Sequence, residues 1–234
     1  MKQFLAAAAV AALFGGAGAA QAASFTVDFS GNTVPAPSLS FNDIGGSGVN
    51  VTVTADDHNR FNGDLGGESF GVGQYSGGLG ICSGTVTTTG DYCRHDDHQV
   101  DGGGSGASDE MAIFTFSETV TLRSVGFSFI GSNDEFDFRM YDPLGQFFAS
   151  QEPGVGTGPN NEVVYSFSQI WTGSIFGIGA QDKNDEFKIK SLTFDFDEPD
   201  DNPSPVPLPA AAWMLLAGVG GLGAMKRRNK KRAA

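Results

Sequence analysis

Basic residues are scarce through most of this chain. Of its 14 lysines and arginines, one is Lys2 and six lie between Lys226 and Arg232. The remaining seven face all 27 aspartates and glutamates, so the body between the two ends carries a net charge near −20. Nucleic-acid binding needs a positive footprint for the phosphates, and this balance excludes it. Such an excess of carboxylate suits solubility in salty surroundings, or oxygen ligation of a divalent cation. Histidine is also rare, with His58, His95 and His98 the three in the chain. His95 and His98 form a His-x-x-His in a loop, but a zinc hydrolase would need a third ligand and a positioned base beside them.

Helical periodicity is missing from the body as well. In its place are short runs of strand-like alternation set between Gly, Asn and Asp turns, in a chain of 34 glycines and 20 phenylalanines. SFTVDFS (24–30) puts Phe25, Val27 and Phe29 on one face, and VNVTVTA (49–55) does the same with Val49, Val51 and Val53. MAIFTFS (111–117) and VTLRSVGFSFI (120–130) read as two strands separated by Ser117-Glu118-Thr119, with Val125, Phe127 and Phe129 sharing a face and Arg123 on the same side. DEFDFRMYD (134–142), GQFFAS (145–150), EVVYSFS (162–168), SIFGIGAQ (174–181) and EFKIKSLTFDF (186–196) complete the set. Short strands in this number predict a two-sheet β-sandwich or jelly roll spanning residues 24–197. The last run has a phase break, with Phe187 and Ile189 odd and Leu192, Phe194 and Phe196 even, which predicts a β-bulge near Lys190-Ser191. Asn-Asp-Glu-Phe occurs at 133–136 and again at 184–187, each time leading into a strand. Turn chemistry by the Asn and Asp side chains accounts for that pair; two carboxylate loops offering oxygens to calcium are the alternative.

The two ends carry addresses. MKQFLAAAAVAALFGGAGAAQAA (1–23) has one charge at Lys2, an apolar run from Phe4 to Phe14 and the small-x-small site Ala20-Gln21-Ala22. This is the layout of a secretory signal peptide, and the run is short of the ~20 residues a membrane span needs. At the other end, residues 198–205 are acidic, proline-rich and without core residues, as in a stiff solvated linker. Beyond them come Val206-Pro207-Leu208-Pro209-Ala210, an uncharged apolar helix candidate over 210–225 with Trp213 near its start, and the basic tail 226–232. With the body exported, the basic block stays cytoplasmic by the positive-inside rule.

Residues 206–234 resemble a PEP-CTERM-type sorting signal in its VPLPA variant, with Val-Pro-Leu-Pro-Ala where the parent type has Pro-Glu-Pro. Such tails are substrates of exosortases, membrane transpeptidases of Gram-negative bacteria. With a signal peptidase expected to process the N-terminus, the resemblance implies that an exosortase-like transpeptidase processes the tail, and that the precursor is held in the inner membrane through its C-terminal segment. It further implies transfer of the body to the cell surface or extracellular matrix, alongside exopolysaccharide production. A permanent single-span anchor is the alternative.

Export bears on the cysteines. Cys82 and Cys93 flank SGTVTTTGDY, and in an oxidising compartment a local disulfide is expected, worth on the order of 2–3 kcal/mol for a ring of this size. Metal ligation with His95 and a reactive thiol are the alternatives. The densest polar stretch, CRHDDHQVDGGGSGASDE (93–110), supplies Asp101, Asp109 and Glu110 as candidate calcium ligands just before a core strand, and a solvated acidic loop is the plainer reading. Gly-Glu-Ser-Phe-Gly (67–71) matches a nucleophile elbow around Ser69 only formally, since no helix follows. Tyr75, Tyr92, Tyr141, Tyr165 and Trp171 are the body's amphipathic aromatics, and Trp171, in the turn-like QIWTGS, is the candidate sugar-stacking platform. No catalytic residue is assigned. The expectation is an exported, non-enzymatic structural or adhesive β-sandwich, with calcium and extracellular polysaccharide as candidate ligands. A secreted glycan-active hydrolase and a membrane-anchored periplasmic binding protein are the alternatives.

Overall fold

The computed structural model describes residues 22–57, 70–82, 98–103, 109–151, 161–180 and 182–197. Residues 1–21 of the expected signal peptide and residues 198–234, with the expected sorting motif Val206–Ala210, lie outside the described residues. Among the described residues no helix is long and apolar enough to cross a membrane.

The described residues are all-β, apart from one 3-10 turn at Ile44–Gly46. The strands are β1 (Ala23–Asp28), β2 (Leu39–Phe41), β3 (Val51–Asp57), β4 (Gly71–Tyr75), β5 (Gly78–Cys82), β6 (Val100–Asp101), β7 (Glu110–Ser128), β8 (Asp137–Tyr141), β9 (Phe147–Gln151), β10 (Glu162–Gly179) and β11 (Glu186–Phe196). Three of them are long, at 19, 18 and 11 residues for β7, β10 and β11. The first half of β7 pairs with β3 and with the end of β10, which in turn pairs with β8 and β8 with β9. Its second half pairs with the start of β10 and with β11, whose far edge takes β6, β5 and β1 in succession. One hydrogen-bonded network therefore serves both layers, where the sequence predicts two sheets.

The sheet folds over at irregularities in β7 and β10. Register slips between Gly173 and Ile175, opposite the Ser117-Glu118-Thr119 stretch, and again between Ser166 and Trp171. Each slip leaves extra residues on one strand, which raises local twist and turns the strand. The expected turn at Ser117–Thr119 is thus a corner inside one strand, and EVVYSFS and SIFGIGAQ are likewise one strand. Ring contacts between the layers close the core: Phe116 on Phe194 at 5.1 Å, Phe29 on Phe114 at 5.4 Å and Phe138 on Phe167 at 4.7 Å. Burial follows the predicted alternation at Val27 and Phe29 and at Val49, Val51 and Val53. The bulge predicted in β11 is present, since Ile189 faces Phe127 and Ser191 faces Gly126, with Lys190 the extra residue. A second bulge, at Arg123, turns that side chain out to an Nε–Oδ2 hydrogen bond of 2.6 Å with Asp195.

The repeated Asn-Asp-Glu-Phe is a structural twin. In both copies the aspartate carboxylate accepts the amide three residues earlier, Gly131 to Asp134 at 2.5 Å and Asp182 to Asp185 at 3.0 Å. Asp185 also accepts the amide of Glu135 at 3.0 Å, which joins the two turns. The phenylalanines that follow, Phe136 and Phe187, both pack on Phe127, with centroids 4.8 and 5.1 Å away. Burial holds the Asp185 carboxyl above its ordinary value of 3.8. Turn chemistry is therefore what these residues perform.

Candidate functional site

GVGQYSGGLGIC (71–82), five of whose twelve residues are glycine, folds as the β4–β5 hairpin, with Tyr75 facing Gly78 across a Ser76-Gly77 loop. The glycines are positions of close approach. A Cβ at Gly80 would run into the carbonyl oxygen of His98, and one at Gly77 would lie 2.5 Å from Cε2 of Phe129. Without side chains there, the hairpin lays Tyr75 flat against His98, with centroids 4.9 Å apart and planes at 9°.

The hairpin meets β11 at Leu79 and Ile189, which brings Lys188 to the same aromatic group. The Lys188 ammonium lies 5.0 Å from the Tyr75 centroid and 4.9 Å from that of Phe129, and the residue is only 9% exposed. A desolvated cation against two rings is held by their quadrupoles. Phe129 itself is 55% exposed and sits at φ +58°. Asn161, at φ +56°, accepts the Ile130 amide at 3.2 Å, while His98 stands at φ +68°. Left-handed backbone is unfavourable for a bulky aromatic, and strained residues of this kind gather at functional sites.

Beside Phe129 opens a cleft of about 280 Å³, lined among the described residues by Ser76, Gly77, Ser128, Phe129, Asn161 and Glu162. Ser128 Oγ donates to the Gly77 carbonyl at 2.5 Å, and Glu162 pairs with the Lys190 ammonium at 2.7 Å on the rim. An exposed ring bordered by a hydroxyl, an amide and a carboxylate can stack an apolar face and hydrogen-bond to its edges. Glycoside hydrolysis takes two carboxyl groups across the bond; Glu162 is the one carboxylate among the described lining residues.

Under this aromatic group lies Cys82, which is buried and is not a free thiol. Its sulfur is 3.7 Å from the Tyr75 hydroxyl and 3.8 Å from His98 Nδ1. Cys93, His58, His95, Tyr92 and Ser69 lie outside the described residues. Gly71 onward, after Ser69, is strand and not the helix of a nucleophile elbow.

Of the candidate calcium ligands, Glu110 and Asp109 each turn one carboxylate oxygen to a backbone amide. Glu110 Oε2 accepts the Asp101 amide at 3.0 Å, and Asp109 Oδ1 accepts that of Gly103 at 2.6 Å. Among the described residues no group of three or more His, Cys, Asp or Glu is arranged to hold a metal ion. Trp171 is core rather than the exposed platform expected of it. It is 7% exposed, inside β10, with its ring edge-on to Phe138 at 5.1 Å. The register slip that removes the expected QIWTGS turn carries it inward. Tyr141 is also buried, donating its hydroxyl to Met111 Sδ at 3.2 Å, and burial pushes its pKa up to about 12.

Of the amphipathic aromatics named from sequence, Tyr75 reaches the site; Phe129, Lys188, Asn161 and Glu162 were not anticipated. A signal for Phe129 exists in Phe129-Ile130, since two adjacent apolar residues at a strand end cannot both face inward. Ile130 takes the core position, fully buried.

No family model and no curated protein sequence matches the chain. Among solved structures it is similar to a family 32 CBM (carbohydrate-binding module) from C. perfringens NanJ in complex with galactose, at TM-score 0.30 and 11% identity over 63% of this chain and 93% of that one. It is also similar to the lectin domain of lectinolysin complexed with Lewis B antigen, at TM-score 0.29 and 14% identity over 44% and 70% of the two chains. A Streptococcus pneumoniae fucose binding module gives TM-score 0.27 and 12% identity over 44% and 71%. Likeness at these scores carries no weight for fold or ligand.

Proposed function

We propose that residues 24–197 form an exported, non-enzymatic β-sandwich that binds saccharide at the Phe129 cleft. The tail 206–234 then delivers it to the cell surface or extracellular matrix. The observation that carries the binding reading is Phe129 itself: a large ring turned outward at φ +58° and 55% exposed. Strained backbone of this kind costs about 1–3 kcal/mol, and the exposed ring also forgoes most of the roughly 1.5–3 kcal/mol that full burial contributes. A ligand that uses the ring explains why both costs persist. Ser76, Asn161 and Glu162 supply polar partners at its edge, the combination by which proteins hold a sugar's apolar face and its hydroxyls. In this reading Cys82 pairs with Cys93, and the bond fixes the floor beneath Tyr75 and His98.

The delivery reading rests on the residues at the two ends: the small-x-small site before Ala23, the proline motif at Val206–Ala210 and the basic block from Lys226. Intact mass and C-terminal peptide mapping of the native protein test it. A mature chain beginning near Ala23 and ending near Val206–Ala210 is expected. A chain still ending in KRRNKKRAA would replace sorting with a permanent membrane anchor. For the binding reading, the parent chain and Phe129→Ala are compared by glycan array and by NMR titration. Parent signals from Phe129 and Asn161 should shift with glycan and the variant should lose capture; equal capture by both would remove this cleft from consideration.

A further inference from the structure

We infer that the Phe129 cleft takes a single neutral pyranose residue, in preference to an anionic uronide or a cationic amino sugar. The inference rests on the saccharide reading above and narrows it to a substrate class.

Size comes first. Ligand pockets for drug-sized molecules run from about 300 to 1,000 Å³, and this cleft, at about 280 Å³, falls just below that range. One sugar ring is the natural occupant. Its lining is a ring face plus hydroxyl, amide and carboxylate groups, which match a pyranose with one face of C–H bonds and a rim of hydroxyls.

Charge then selects among pyranoses. Among the described residues two cations lie close, and both are engaged by protein groups. Lys190 is occupied by Glu162 at 2.7 Å. Lys188 is 9% exposed, with its ammonium against the rings of Tyr75 and Phe129. The carboxylate that does line the cleft, Glu162, repels an anionic sugar, and so does a body with a net charge near −20. A cationic amino sugar meets the opposite difficulty at the stacking surface. Phe129 already has an ammonium 4.9 Å from its centroid, so a second cation on the same ring is opposed by the first. A neutral ring avoids both repulsions.

The test uses the full chain, titrated by NMR and calorimetry with three methyl glycosides: a neutral hexoside, a hexuronide and a glucosaminide, each at low and high salt. The neutral glycoside should bind best, with an affinity nearly independent of salt, and should shift resonances of Phe129, Ser76 and Asn161. Glu162→Gln should raise uronide affinity relative to the neutral glycoside, because it removes the repelling charge and releases Lys190. Phe129→Ala should weaken the neutral glycoside by about tenfold or more. Tightest binding of the uronide or the glucosaminide by the parent chain, still lost in Phe129→Ala, would overturn the neutral class and leave the saccharide reading standing. If none of the three glycosides moves those resonances, both the inference and the saccharide reading fail. The comparison among glycosides on the parent chain depends on no variant folding.

Discussion

Phe127 and Phe129 lie two residues apart, at and just beyond the end of one strand, where alternation assigns them the same face. Their surroundings differ completely. Phe127 is fully buried, with Phe136 and Phe187 from the twin turns packed around it. Phe129 is turned out at φ +58°, with Gly77 at its edge and the Lys188 ammonium against its ring. The first region has every ring and every turn carboxylate engaged by protein. The second keeps a strained backbone, an exposed ring and an open cleft. A fold can contain both because the Asn-Asp-Glu-Phe turns fill the space around Phe127, which leaves the next position on that face to be exposed. The difference separates the part of this fold that holds it together from the part to which ligand binding is proposed.

The sharpest way to break the contrast is to truncate both rings. Phe127→Ala should destabilise by about 3–5 kcal/mol, as for a large ring removed from a packed core. Phe129→Ala should stay within about 1 kcal/mol of the parent, since it loses one cation–π partner of Lys188 and little burial. Equal losses for the two in chemical denaturation would mean that Phe129 is core after all.

Reduction of the Cys82 disulfide comes next. A thermal scan with and without dithiothreitol should show a loss of about 2–3 kcal/mol for a ring closed with Cys93. Saccharide affinity should fall with it, because the sulfur supports Tyr75 and His98. Unchanged affinity after reduction would separate the cleft from its floor.

Removing turn carboxylates tests the other region. Asp185→Ala leaves the Glu135 and Asp182 amides without their acceptor, and Asp134→Ala leaves that of Gly131. Losses of about 1–3 kcal/mol are expected for a buried donor left unsatisfied, larger for Asp185, with the cleft's affinity unaltered. The pH dependence has a defined sign. Burial raises the folded pKa of Asp185 above 3.8, so its contribution is fully present below 3.8 and is lost as pH rises through the folded value. Asp185→Asn should therefore gain on the parent as pH rises across that window. A stability difference that does not move with pH would show that the carboxyl is not held high.

The smallest effect belongs to Tyr141. Its phenolate absorbance, assigned by comparison with Tyr141→Phe, should appear only near pH 12, above the ordinary tyrosine value of about 10. A Tyr141 signal near that ordinary value would place its hydroxyl in water.

Much of the fold was legible. Val27 with Phe29, and Val49 with Val51 and Val53, are buried as their alternation requires, and the odd-to-even change in β11 located the Lys190 bulge. Strand ends were less legible, because a bend with extra residues resembles a turn: Ser117–Thr119 and the QIWTGS stretch at 169–174 both sit inside strands. The site was the least legible part. Five of the twelve residues in its hairpin are glycine, a composition that signals loop, and these glycines matter for what packs on them. Lys188 lies between Phe187 and Ile189 as any outward strand residue would.

Composition and spacing settled the all-β class, the acidic body, the inward face of several strands and the phase break in the last one, because these follow from local covalent geometry and the two-residue period of a strand. Packing settled the rest. Tertiary contacts decided that the long strands pass through both layers, that Trp171 turns inward and Phe129 outward, and that a lysine is held against two rings. Each of these depends on which distant residues fill the neighbouring volume, and alternation along one strand carries no information about that.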